Sequence, residues 1–118
     1  MITLTVRTHF EAAHHFALGE ADDPRRRMHG HSYEVEASFI AGEQRQDLEG
    51  LKNALTLALE PVDHAILNEV EGLNSPAMED VAVFIADRLI SAGHRVHSVR
   101  LNRPTLGFSA QYTVEGDQ

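Results

Sequence analysis

The spacing of apolar residues changes twice along this chain, and that change constrains the fold more than any other feature. From Ile2 to Phe10, and again from His31 to Ile40, apolar and polar side chains alternate. A period of two is typical of half-buried antiparallel strands. Two further strands are expected near residues 95–102 and 108–115, with Pro104 in the turn between them. We therefore predict a pair of strands at each end of the chain.

Between these strand pairs the spacing becomes helical. Leucines recur every three or four residues from Asp47 to about Glu60, which predicts a helix with Asp47 as its N-cap. A second helix is expected from about Pro76 to Ser91, capped by Ser75 and ended by Gly93. The order β-β-α-α-β-β indicates an α+β fold, with the helices covering one face of the sheet.

Length and composition narrow the class of protein. A chain of 118 residues fits one domain, 1–118, and its net charge of −8 argues against a nucleic-acid partner. Cysteine is absent, which excludes disulfides, thiolate metal sites and cysteine nucleophiles. The longest apolar run, Val81 to Ala86, is too short to span a bilayer, and the N-terminus lacks a signal-peptide layout. We therefore expect a soluble cytoplasmic protein with no membrane partner.

Histidine is the unusual residue, with eight copies, five of them in the first 31 residues. His29 and His31 are two residues apart on a strand, so both imidazoles point to the same side. His14 lies near the end of the strand expected to pair with theirs. Three histidines around Zn²⁺ leave one coordination position open, as in catalytic sites. The alternatives are that these are ordinary surface or core histidines, or that His15 competes with His14.

Two other groups of residues could carry chemistry. Asp63 precedes His64 just after the first helix, and a carboxylate can fix the tautomer of an imidazole. Adjacent residues on an extended chain point apart, so from spacing alone we expect no direct hydrogen bond between them. The basic cluster Arg25-Arg26-Arg27 could focus an anion, although a solvated loop without a ligand fits it equally well.

Four stretches of sequence, in order, resemble the motifs of the 6-pyruvoyltetrahydropterin synthase family. They are Phe10-Glu11-Ala12-Ala13-His14 with Met28-His29-Gly30-His31-Ser32-Tyr33; Asp47-Leu48 with Leu51-Lys52; Val62-Asp63-His64-Ala65-Ile66-Leu67-Asn68, which is similar to L-D-H-x-x-L-N; and residues 74–79, an altered N-P-T-x-E. The short chain is closest to the bacterial branch, the 6-carboxytetrahydropterin synthases of queuosine biosynthesis.

This resemblance implies the tunnelling fold (T-fold), a four-stranded antiparallel sheet with two helices on one face. The family's sheets close into a barrel, usually a homohexamer built as a dimer of trimers. The resemblance also implies a zinc-dependent lyase that acts on 7,8-dihydroneopterin triphosphate. Carried over by motif, the zinc ligands would be His14, His29 and His31. Asp63 and His64 would form the acid–base pair.

Departures from the family pattern concern the parts that contact the substrate. Arg25 stands where the bacterial members have their catalytic cysteine, and a protonated arginine cannot act as a base. Asp23 or Glu20 is expected to replace it, because some relatives use a glutamate in this loop. Arg25 itself becomes a candidate for substrate binding.

The pterin-contacting motifs are also altered. In the run from Leu101 to Thr105, Pro104 is matched to the glutamate that anchors the pterin, leaving Thr105 as a substrate-binding candidate. Ala77 replaces the threonine of N-P-T-x-E. The resemblance therefore leaves open a different anionic or heterocyclic substrate, held by Arg103 or the Arg25–Arg27 cluster, or a member without catalytic activity.

Overall fold

The computed structural model describes residues 1–17, 19–42 and 47–115 and has the α+β architecture of the T-fold. The elements in chain order are β1 (Thr3–His14), β2 (His29–Ile40), α1 (Leu48–Ala58), β3 (Ala65–Ile66), α2 (Met78–Ser91), β4 (Val96–Arg103) and β5 (Phe108–Thr113). The strands form one sheet in the order β3-β1-β2-β4-β5.

The first two strands extend further toward their connection than the sequence predicts. They pair in one uninterrupted antiparallel register from Thr3 opposite Ile40 to His14 opposite His29. The segment after Phe10 carries small side chains that interrupt the visible alternation, while the backbone ladder continues through it. As a result, the histidines lie inside the sheet at the end of the β1–β2 pair.

The prediction of four antiparallel strands was wrong in one detail. A fifth strand, β3, pairs in parallel with Ala12 and Ala13 on the free edge of β1, so the sheet is mixed. Two residues are too few to show any periodicity, which is why the sequence did not reveal this strand. Its effect is to hold the chain just after α1 against the strand that carries His14.

The core lies between the helices and one face of the sheet. The β2 side chains Tyr33, Val35, Ala37 and Phe39 are all buried, as the alternation predicts. Helix α1 packs on β1 and α2 packs on β4 and β5. Neither helix in the described part of the chain is long and apolar enough to cross a membrane.

The helix ends follow the predicted capping chemistry in part. Asp47 caps α1 by accepting a hydrogen bond from the Glu49 amide at 3.1 Å, and Gly93 follows α2 with a φ of +97°. Helix α2 begins at Met78, later than predicted, because the residue before it has an extended backbone. Ser75 is therefore not the N-cap, although its hydroxyl accepts from the Ala77 amide at 3.2 Å.

Candidate metal centre

Three histidines converge on the face of the sheet that also carries the core. His14 lies directly opposite His29 in the register, and His31 lies opposite Ala12, one step along the same face. The three rings contact one another with centroids 4.6–4.8 Å apart. One ligand nitrogen from each ring lies within 4.8 Å of the others, and His14 is fully buried. The predicted ligand set is therefore brought together.

Backbone carbonyls fix the tautomers of two of these rings. His29 Nδ1 lies 2.7 Å from the Arg27 carbonyl, and His14 Nδ1 lies 3.3 Å from the Pro76 carbonyl. A carbonyl oxygen can only accept, so each Nδ1 carries the proton and each Nε2 presents a lone pair. Such carbonyl contacts are typical of histidines that bind a metal through the other nitrogen.

The free ring nitrogens show that a cation fits between them. The Nε2 atoms of His14 and His29 face each other at 3.0 Å, where two lone pairs repel. The Nε2 atom of His31 is buried and has no hydrogen-bond partner. Tetrahedral zinc with Zn–N bonds of 2.0–2.1 Å places its ligand nitrogens about 3.3 Å apart. The donor set and its spacing therefore suit Zn²⁺.

Burial favours the neutral form of His14 and His31, as metal binding requires. Burial lowers the pKa of His14 to about 4, against the opposing hydrogen bond to the Pro76 carbonyl; the nearby Arg103 charge also lowers it. Burial, followed by Arg103, lowers the pKa of His31 as well. Both rings are therefore unprotonated near pH 7.

Asn68 holds the end of β1 in place. Its side-chain oxygen accepts from the His15 amide at 3.0 Å, and its side-chain nitrogen donates to the His15 carbonyl, also at 3.0 Å. These two bonds fix the backbone next to His14. His15 is outside the group of potential ligands found in the described residues. The asparagine that ends the L-D-H-x-x-L-N-like stretch therefore positions a metal ligand, a role that sequence reasoning missed.

Asp63 and His64 form a pair, contrary to the expectation that they point apart. His64 Nδ1 lies 3.0 Å from Asp63 Oδ1. The physical reason is that His64 has a φ of +56°, so the chain is not extended there. Glu11 stabilises this conformation, since its amide donates to Asp63 Oδ1 at 3.1 Å and its carbonyl accepts from the His64 amide at 2.6 Å.

This pair lies beside a cleft of about 410 Å³. Among the residues lining the cleft are Glu11, Ser32, His31 and His64. Glu11 accepts a hydrogen bond from the Ser32 hydroxyl at 2.7 Å across β1 and β2. Within the described residues, no hydrogen bond, ion pair or ring contact joins His64 to the three-histidine cluster, and its side chain is 79% exposed.

Of the two loop candidates for the missing base, Asp23 is already paired with Arg25. Asp23 accepts hydrogen bonds from the Arg25 guanidinium at 2.6–3.2 Å and caps the short 3₁₀ turn Pro24–Arg26. Hydrogen bonding to Arg25 holds the pKa of Asp23 at about 2, which makes its carboxylate a weak base. Glu20 is exposed in the same loop. Arg25 is thus already paired with a carboxylate.

The end of β4 brings an unexpected side chain to the cluster. Val99 and Leu101 are buried core residues at alternate positions of this strand, so Arg103 is the next residue on the same face. Its guanidinium carbon lies 5.4 Å from the centre of the Tyr33 ring. Pro104 and Thr105 follow in an exposed turn. The strand's alternation therefore assigns the anchoring position of V-x-V-x-E-T to Arg103 rather than to Pro104.

Comparison with solved structures identifies the fold. The fold matches 6-pyruvoyl tetrahydropterin synthase from Caenorhabditis elegans with a TM-score of 0.77 at 20% identity, covering 97% of this chain and 96% of that one. An uncharacterised protein from Wolinella succinogenes matches with a TM-score of 0.62 at 16% identity, covering 98% and 100%. A catalytic-residue mutant of the Plasmodium vivax synthase, in which a glutamate is replaced, matches at 0.63 and 16%, covering 96% and 98%.

These likenesses show a T-fold. The sequence comparison is more specific, because the model of the family described as 6-pyruvoyl tetrahydropterin synthase matches residues 3–115. The chain belongs to that family.

Proposed function

We propose that this protein is a zinc-dependent lyase of the 6-carboxytetrahydropterin synthase type, acting on 7,8-dihydroneopterin triphosphate in the pathway to queuosine. The observation that carries the proposal is the facing pair of Nε2 atoms on His14 and His29, 3.0 Å apart, beside the unpartnered Nε2 of His31. When bound there, zinc would polarise hydroxyl oxygens of the substrate and acidify the neighbouring C–H bonds.

His64 and Asp63 supply a proton-transfer group. Asp63 accepts from His64 Nδ1 and is itself fixed by the Glu11 amide, so the Nε2 atom of His64 is free to take or give a proton. Such a carboxylate orients the imidazole and stabilises its protonated form. The high exposure of His64 leaves it accessible from outside its own chain.

A loop carboxylate is proposed in place of the family cysteine. The Plasmodium vivax relative, with its catalytic glutamate, supports a carboxylate in this role. The ion pair with Arg25 makes Asp23 the weaker base, so Glu20 is the first residue to replace.

We also propose a cytoplasmic homohexamer, built as a dimer of trimers. The strand β5 is an open edge of the sheet, and Phe108 on it is 57% exposed. Open edges are usually covered in native proteins. Assembly would also let His64 of one protomer act at the histidine cluster of another, since no contact joins the two within the described residues of one chain. Mixing inactive His31→Ala and His64→Ala protomers should then restore part of the activity.

Turnover is the test of this function. Zinc-loaded protein is incubated with 7,8-dihydroneopterin triphosphate, and 6-carboxytetrahydropterin and acetaldehyde are followed by mass spectrometry. We expect product from the unaltered protein, at least a 100-fold loss in His31→Ala with loss of bound zinc, and no change in His9→Ala, an exposed histidine elsewhere on β1. Absence of product from protein with zinc confirmed would refute the proposed reaction.

One observation favours a second candidate. Arg103 occupies a position where the family has a carboxylate, so the same metal chemistry could act on a different, anionic substrate. Zinc binding without turnover of the pterin would be the expected result for that candidate. If zinc changes the stability of the protein but no reaction is found, the protein is a family member without catalytic activity.

A further inference from the structure

Arg103 is placed against the histidine cluster by the register of the sheet. Asn102 pairs with Glu34, so Arg103 lies opposite Tyr33, and His31 is the next β2 residue on that face. The guanidinium carbon lies 5.4 Å above the Tyr33 ring, whose centre is 5.9 Å from that of His31. The arginine and the three histidines therefore share one face and one neighbourhood.

This guanidinium has no acidic partner within the described residues. The arginines in ion pairs there are Arg7 and Arg25, and Arg103 is absent from those pairs. Its Nε atom is buried without a hydrogen-bond partner, as is Nε2 of His31. The guanidinium as a whole is partly buried and donates a hydrogen bond to the Tyr33 side chain, but a donor atom that stays buried and unpaired is costly. The unpartnered donor indicates that something outside the chain completes the site.

The charges around the site indicate that the missing group is negative. Three neutral imidazoles do not offset the charge of a dication, and the guanidinium adds a further positive charge. Guanidinium forks match the oxygens of carboxylates and phosphates.

We infer that Arg103 is a specificity-determining residue that binds an oxyanion, a carboxylate or phosphate group of the ligand occupying the open position of the three-histidine metal site. This rests on the metal site of the proposed function and gives the class of substrate for its second candidate, the different anionic substrate. A carboxylate in this position would suit the guanidine-like edge of a pterin, whereas an arginine selects a ligand of opposite charge.

The test uses cobalt-substituted protein, because the visible spectrum of Co²⁺ reports directly on its ligands. Acetate and inorganic phosphate are titrated separately into the full-length protein, and the dissociation constant is read from the spectral change. We expect Arg103→Met to weaken binding at least 10-fold and Arg103→Lys to weaken it less. Arg100→Met is the matched control, since Arg100 lies exposed on the same strand and bonds Asn102. The anion that binds more tightly identifies the ligand group.

The outcomes separate this inference from the proposed function. Equal affinities in Arg103→Met and the unaltered protein, or no spectral change up to 100 mM anion, would overturn the role of Arg103 while the metal site stands. Failure of the unaltered protein to bind cobalt or zinc would overturn both. If circular dichroism shows that Arg103→Met does not fold, the comparison of Arg103→Lys with Arg103→Gln decides the matter, since only lysine keeps the charge.

Discussion

At the scale of single residues, the candidate site depends on groups that hold the histidines rather than on the histidines alone. The Arg27 and Pro76 carbonyls set the tautomers of His29 and His14, so that both Nε2 atoms face the same point. A carbonyl contributes this function whatever side chain its residue carries. For that reason no residue type at position 27 or 76 would have revealed the contact.

The Asp23 carboxyl should titrate far below its ordinary range. Its folded pKa, about 2, lies below the unfolded value of 3.8, so its contribution to stability is present above pH 4 and disappears as the pH falls toward 2. A carboxyl-carbon NMR titration should show the low value, and Arg25→Met should shift it up toward 3.8. Arg26→Met is the control and should shift it far less, because Arg25 provides the hydrogen-bonded guanidinium while Arg26 acts only through its charge. An unshifted Asp23 in the unaltered protein would contradict this and restore it as a candidate base.

At the scale of elements, β3 and the turn after it determine how the site is built. The two-residue pairing of Ala65 and Ile66 with β1 brings the Asp63–His64 pair to one side of that strand and Asn68 to its end. The same short element thus positions both the Asp63–His64 pair and the candidate metal ligand His14. A strand so small contributes little burial, so the hydrogen bonds of the flanking Asp63, His64 and Asn68 carry much of the attachment.

Replacing Asn68 should damage the metal site as well as the fold. Asn68→Ala leaves the His15 amide and carbonyl to water, and we expect about 1 kcal/mol of lost stability because both hydrogen bonds are exposed. Zinc affinity should fall roughly 10-fold, because removing a group that holds a metal ligand in place typically lowers metal affinity about 10–100-fold. Denaturant unfolding and competition with a chelator measure the two effects. Asn53→Ala, on the exposed side of α1, should change neither; unchanged zinc affinity in Asn68→Ala would refute the positioning role.

At the scale of the whole molecule, the metal would join segments that are distant in sequence. His14 and the hairpin end at His29 and His31 come from neighbouring strands, while the Pro76 carbonyl comes from the segment before α2. A cation bound by all three rings would cross-link the adjoining ends of β1 and β2, while the hydrogen bond from His14 to the Pro76 carbonyl ties this end of the sheet to the segment before α2. Such a link stabilises the folded state only, because the unfolded chain does not hold the ligands together.

Removal of zinc should lower the melting temperature. At a free zinc concentration about 1,000 times Kd, the bound metal adds about 4 kcal/mol, which corresponds to roughly 15 °C for a chain of this size. Thermal scans with and without a chelator, at one fixed protein concentration, measure the shift. His31→Ala should melt at the same temperature in both conditions. A chelator-sensitive His31→Ala would show that the stabilising metal binds elsewhere.

The sequence by itself determined the features that depend on neighbours a few residues away. The alternation of Tyr33, Val35 and Ala37 specified a strand and its buried face, and the spacing of His29 and His31 placed both on one side of it. The capping of α1 by Asp47 and the end of α2 at Gly93 follow from equally local chemistry. Motif order was sufficient to identify the family.

Only the tertiary structure decided which distant groups complete the site. Asn68 reaches His15 across 53 positions, and Pro76 reaches His14 across 62. The strand β3 exists only because β1 offers a free edge, and Arg103 meets the cluster only through the register of β2 with β4. The spacing of apolar side chains shows which face of each segment is buried. It does not record the partner to which that segment is hydrogen-bonded, because that choice is made by the packing of the whole chain.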